Sequence, residues 1–61
     1  MKDKNGIPLS IGNKVIAFNP DNDTEFNGTV EGFDNHNRAE VSNDDGDIFV
    51  LESFDISLIF N

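Results

Sequence analysis

Apolar positions along this chain fall into short runs separated by polar clusters. The runs are KVIAF (14–18), EFNGTVEGF (25–33), RAEV (38–41), DIFVL (47–51) and ISLIF (56–60). Val, Ile, Phe and Thr dominate them, and their lengths suit extended segments better than helices. No stretch keeps the 3.6-residue rhythm of an amphipathic helix. The pattern therefore predicts an all-β chain of five strands. Its links carry turn chemistry of their own: NPDND (19–23), DNHN (34–37) and NDDG (43–46) supply Pro, Asn, Asp and Gly. Asp45-Gly46, with Ala39 and Val41 before it and Ile48 and Val50 after, predicts a tight type I′ hairpin. LESFD (51–55) breaks the alternation and predicts one turn of 3₁₀ character with Phe54 facing inward.

The same glycine turn invites a second reading. With Gly46 as the sixth position of an EF-hand loop, Asn43, Asp45 and Glu52 fall on positions three, five and twelve. Position one is then Val41, which has no carboxylate to offer calcium, and the flanking segments are strand-like where the motif requires helices. A hairpin accounts for Gly46 without a metal. Asp21, Asp23 and Glu25 also alternate, but no glycine follows at the required place. No metal or cofactor is expected.

Strand parity suggests a surface. Ile16 and Phe18 lie opposite Val15 and Ala17; Phe49 and Leu51 lie opposite Ile48 and Val50; Ile59 lies opposite Ile56 and Leu58. A half-solvated strand alternates apolar with polar, so three strands here are apolar on both faces. One set fills the interior. The other, Ile16, Phe18, Phe49, Leu51 and Ile59, is either covered by residues 5–13 and the 19–25 loop or forms a candidate protein-binding patch. Homodimerisation and docking to another protein both fit.

Charge narrows the partner. The net charge is −8, with residues 1–18 contributing +2 (Lys2, Lys4 and Lys14 against Asp3) and residues 19–61 contributing −10 (eleven acids against Arg38). Such a surface repels phosphates, so direct nucleic-acid binding is disfavoured. A basic protein surface is the natural attraction. Asp21, Asp23, Glu25, Asp44, Asp45 and Asp47 make up a candidate acidic surface, which serves solubility at the least. In an alternative reading the carboxylates of residues 21–55 imitate phosphates and block a nucleic-acid-binding protein.

Sixty-one residues allow one domain, 1–61, with 1–6 as a loose N-terminal tail. A chain of this length buries only about 60% of its unfolded surface. With no cysteine and a single histidine, His36, neither disulfides nor structural zinc can compensate. No run reaches the length of a membrane span and MKDKNG lacks a signal-peptide core, so a cytoplasmic protein is expected. His36 is the one neutral-pH base, and in DNHN it sits in an exposed turn with Asp34 two residues before it. A chain this small also lacks depth for a drying pocket. The expectation is a non-enzymatic protein.

Beyond the pattern there is a resemblance. IPLSIGNKV (7–15), FNGTVEGF (26–33) and DDGDIFVLESFDISLI (44–59) resemble the opening, second-strand and closing motifs of small SH3-like and KOW-like barrels. Such acidic barrels occur among accessory proteins of bacteriophages and prophages, the YorP-like proteins included. The resemblance implies a five-stranded SH3-like barrel with a short 3₁₀ turn before the last strand, in which the early strand pairs with the last. It gives structural roles to Gly12, Gly28, Gly46, Val15 and Val30. It carries no binding site: basic residues, Trp and Tyr, on which nucleic-acid-contacting and proline-binding relatives depend, are scarce or missing here.

Overall fold

The computed structural model describes residues 1–59. Five strands follow in order: β1 (Lys14–Asn19), β2 (Thr24–Phe33), β3 (Ala39–Ser42), β4 (Ile48–Leu51) and β5 (Ile56–Leu58), with a 3₁₀ turn at Ser53–Asp55. They form one antiparallel sheet in the order β4-β3-β2-β1-β5. Each apolar run of the sequence became a strand. Phe60, placed in the last expected run, lies outside the described residues.

β2 organises the sheet. Its first part, Thr24 to Thr29, pairs with β1, and its second, Thr29 to Phe33, pairs with β3. The register slips between Val30 and Gly32, leaving Glu31 as an extra residue without a β3 partner. A bulge of this kind bends a strand and increases its twist. The bend folds the two halves of the sheet toward each other. Phe26 of β2 and Phe49 of β4 are two strands apart, yet their ring centroids are separated by 5.0 Å with a tilt of 46°. Gly28 sits where β2 and β3 approach closely. A Cβ there would meet the Val41 Cγ1 at 2.5 Å and the Ser42 carbonyl oxygen at 2.8 Å. β1 pairs with β5 as expected, but among the described residues no ladder joins β4 to β5. The sheet curls without closing, and it retains two edges.

The concave side holds the core. Val15, Ala17, Val30, Ala39, Val41 and Ile56 are fully buried, with Leu9 and Leu51 nearly so. Met1, Phe26, Phe49 and Leu58 pack around this group. Phe54, expected to point inward, is instead 70% exposed. Ile56, the first strand residue after the turn, fills the interior instead.

Three loops share one design. In Asp3–Ile7, Asp34–Arg38 and Asn43–Asp47 the first side chain's Oδ1 accepts backbone N–H bonds from residues two and four positions on, at 2.8–3.0 Å. The first and fifth residues are joined by a main-chain bond of 2.8–3.0 Å. The fourth residue has positive φ: Gly6 at 81°, Asn37 at 60° and Gly46 at 85°. These are turns closed by a short side chain, with a left-handed residue where Gly or Asn fits best. The Asp45-Gly46 turn is thus not type I′, since Asp45 does not have positive φ. It is a three-residue loop ending in a glycine bulge.

Residues 1–6, expected as a loose tail, are fastened by the first of these loops. Lys2 bridges Pro8, the Leu9 N–H donates to the Met1 carbonyl at 2.9 Å, and Asp3 is only 4% exposed. The DKNG turn folds the segment into a small hairpin that lies along β5.

Two glycines separate two physical effects. Gly28→Ala is expected to lower stability by about 2 kcal/mol, because the new methyl overlaps Val41 and the Ser42 backbone. Gly46→Ala meets no atom within 4 Å and should cost about 1 kcal/mol through its positive φ alone. Urea midpoints check both; a Gly28→Ala protein as stable as the wild type would contradict the close approach of β2 and β3.

Candidate docking surface

A sheet with two edges and one solvent-facing side offers three places for a partner. The N-terminal hairpin covers one edge. The Lys4 N–H donates to the Ile56 carbonyl at 2.9 Å, and the Leu58 N–H donates to the Asp3 carboxylate Oδ2 at 2.8 Å. The Asp3 carboxylate therefore binds its own loop with one oxygen and caps β5 with the other. Burial opposes its charge. The N–H groups of Leu58, Ile7 and Asn5, with Lys4 nearby, outweigh that cost and hold the carboxyl below its ordinary value.

The opposite edge is β4, the terminal strand of the sheet. Its ladder pairs Ser42 with Ile48, Val41 with Phe49, Glu40 with Val50 and Ala39 with Leu51. Phe49 and Leu51 thus share the inner face with Val41 and Ala39. This corrects the expected parity. A two-residue turn at Asp45-Gly46 would pair Val41 with Val50 and turn Leu51 outward. The three-residue loop shifts the pairing by one position, and a slip of one residue exchanges the faces of a strand. Ile48 and Val50 take the solvent side, 54% and 48% exposed.

The five residues of the expected patch do not come together. Ile16 is on the outer face of β1, 39% exposed, between Asn27 and Ser57 in the register. Phe18 and Ile59 are half-buried, Phe49 packs against Phe26, and Leu51 belongs to the core. Ile48 and Val50 were missed. The available signal was Asn43, placed three residues before Gly46 as Asp3 is before Gly6, which marks the longer loop.

All six candidate acids are exposed, but they form two groups. Asp21, Asp23 and Glu25 lie on the β1–β2 loop and the start of β2; Asp44, Asp45 and Asp47 lie on the β3–β4 loop. Both loops are at the same end of the sheet. β3 stops opposite Thr29, however, five residues along β2 from Thr24, a stagger of about 17 Å along the strand. Around β4 the acids continue with Glu40 across from Val50, Glu31 accepting a bond from the Ser42 hydroxyl, and Glu52 just past the strand.

Other features are accounted for locally. A groove of about 350 Å³ is lined by Lys14, Asn27, Gly28, Thr29, Asp44 and Ile59. Its cation, Lys14, donates to the Thr29 hydroxyl at 2.8 Å. Asp34 is occupied too. Its Oδ1 accepts the backbone N–H groups of His36 and Arg38, and its Oδ2 accepts the Arg38 Nε at 2.8 Å. Desolvation opposes its charge, the Arg38 and His36 N–H groups and the guanidinium favour it, and its carboxyl is held low. Asp34 thus orients a loop rather than the exposed His36 ring. Among the described residues, no three His, Cys, Asp or Glu side chains gather as metal ligands. Asn43, which the calcium register would use as a ligand, accepts two backbone N–H groups instead. Among the described residues no helix is long and apolar enough to cross a membrane.

Compared with protein-family models, curated proteins and solved structures, the chain matches none.

The Asp3 network yields a pH test. Asp3→Asn should cost about 2 kcal/mol near neutral pH, since an amide cannot offer charged oxygens to three backbone donors. A lowered folded pKa means that this stabilisation is fully present above the unfolded value, about 3.9, and is lost as pH falls through the folded value. Urea unfolding of both proteins across the acid range should show the difference shrinking below about pH 4. A difference that stays constant there would show that the carboxylate charge is not its source.

Proposed function

We propose that this protein is a small non-enzymatic interaction module that docks another protein on the outer side of β4. One observation carries the reading: Ile48 and Val50 are both about half exposed, on an edge strand whose surroundings are acidic. A strand that presents two β-branched apolar side chains to solvent has that surface to gain by burial. The ring of carboxylates selects a partner with basic residues near its apolar contact. A second copy of the chain is a poor partner, because it would bring another −8 to the contact.

The wider frame is an SH3-like barrel, left partly open. Supporting it are the strand order, the 3₁₀ turn before β5, and the bent β2 shared between two halves. The Phe26–Phe49 pair spans the interior between non-neighbouring strands. In this reading the chain acts in the cytoplasm as an accessory protein, as its resemblance to small phage barrels implies. The grouping of acids on two staggered loops favours docking over phosphate mimicry, which needs ordered rows.

The test is affinity capture from cell extract with three forms of the protein. Proteins retained by the wild type should be lost with Ile48→Ser/Val50→Ser, a solvent-side change expected to alter stability by under about 1 kcal/mol. They should persist with Asp21→Asn/Asp23→Asn/Glu25→Gln. The reverse pattern would favour an acidic mimic and overturn the docking assignment.

A further inference from the structure

The two edges of the sheet are treated differently, and the difference indicates how a partner binds. On β5 the outward groups are taken: the Ile56 carbonyl by the Lys4 N–H, and the Leu58 N–H by the Asp3 carboxylate. On β4 the ladder alternates. The Asn43 N–H donates to the Asp47 carbonyl on the β3 side, so the inward-bonding positions continue at Phe49 and Leu51. Ile48 and Val50 then direct their N–H and C=O groups away from β3, where no described strand pairs with them. The residues whose outward backbone groups no described strand pairs are also those with half-exposed apolar side chains.

We infer that β4 receives an extended segment of the partner as a sixth strand, apolar at its centre and basic at its flanks. This rests on the docking reading above and specifies its geometry. Addition of a strand satisfies the outward groups of Ile48 and Val50 while alternate partner side chains cover theirs. The flanks follow from charge. Asp44, Asp45 and Asp47 precede the strand and Glu52 follows it, so Lys or Arg at both ends of the incoming segment meets carboxylates. The same charges work against self-pairing. If two β4 strands paired antiparallel about Phe49, Glu52 of each copy would lie opposite Gly46 of the other, between Asp45 and Asp47. Like charges so placed destabilise the pair, as charged flanks do on protected edges. The β4 edge is closed to its own kind and open to a basic strand.

The probe is the peptide Lys-Lys-Val-Thr-Val-Lys-Lys, with Glu-Glu-Val-Thr-Val-Glu-Glu as control, titrated into isotopically labelled full-length protein. The basic peptide should bind at least about tenfold more tightly, and its binding should slow hydrogen exchange at the Ile48 and Val50 amides. Val50→Pro removes one outward N–H at a position where an edge strand tolerates proline, and should weaken binding by about tenfold or more. Val50→Thr keeps that N–H and nearly the same shape, and should bind within about threefold of the wild type, a change too small to count as a lost hydrogen bond. The exchange measurement on the wild type stands whether or not the proline variant folds. Equal binding of the two peptides, or binding with unchanged exchange at both amides, overturns strand addition. If the capture experiment still depends on Ile48 and Val50, only the geometry falls; if it does not, the docking reading falls with it.

Discussion

Which side chains this protein hides and which it shows is decided by an oxygen atom of Asn43. Its Oδ1 accepts the N–H groups of Asp45 and Asp47, which fixes a three-residue loop with Gly46 in the left-handed region. Loop length sets the register of β3 with β4, and register sets the face. From that follow the burial of Leu51, the inward turn of Phe49 onto Phe26, and the exposure of Ile48 and Val50. Asp34 sets the β2–β3 link by the same means, and Asp3 sets the N-terminal hairpin. The chain's richness in Asn and Asp, which taken alone suggests solubility or disorder, is in good part hydrogen-bonding capacity spent on turns.

The fold has little to spare elsewhere. Among the described residues the core is eight buried apolar side chains, mostly Val, Ala and Leu, with no aromatic ring fully inside. Fully burying a Val or Leu contributes only about 1.5–3 kcal/mol, and a domain this short leaves much of its apolar surface in water. Disulfides are ruled out by composition. The N-terminal hairpin does part of that work instead: it adds Leu9 to the core and caps β5 with a buried carboxylate. Such a device stabilises through pH-dependent hydrogen bonds rather than a covalent link.

Much of this was readable in advance. Strand existence came directly from the apolar runs and the turn residues that bound them, with bounds differing by a residue or two. The five strands and the 3₁₀ turn followed from the pattern, and the β1–β5 pairing from the resemblance. Where the reading failed, it failed over one-residue questions. In IFVL every residue is apolar, so periodicity cannot say which pair faces inward, and the wrong turn type chose the wrong pair. Phe54 illustrates the converse. A large ring suggested a plug, but the turn directs Ile56 into the core and leaves Phe54 in water. The tail was misread because one acidic residue, Asp3, among Lys2 and Lys4 looks like solvated surface; its long-range bond to Leu58 has no local signature.

The placement of charge gives the functional reading its physical content. Net charge alone is compatible with solubility, repulsion of nucleic acid or attraction to a basic protein. The asymmetry between the edges is what the proposed docking adds to it. An edge that needed only protection could have been handled like β5, by a carboxylate and a main-chain donor set into its open positions. β4 instead keeps its outward groups and its apolar side chains available, while the carboxylates stand at the strand's ends, where they repel a like strand without filling the bonding positions. Protection by repulsion discriminates between approaching strands in a way that occlusion cannot. On the proposed reading it would disfavour acidic partners, a second copy of the chain included, and leave the backbone ladder intact for a strand of opposite charge. The Asn43 turn determines which side chains are presented, and in the proposed docking the acids at the strand's ends would determine to whom.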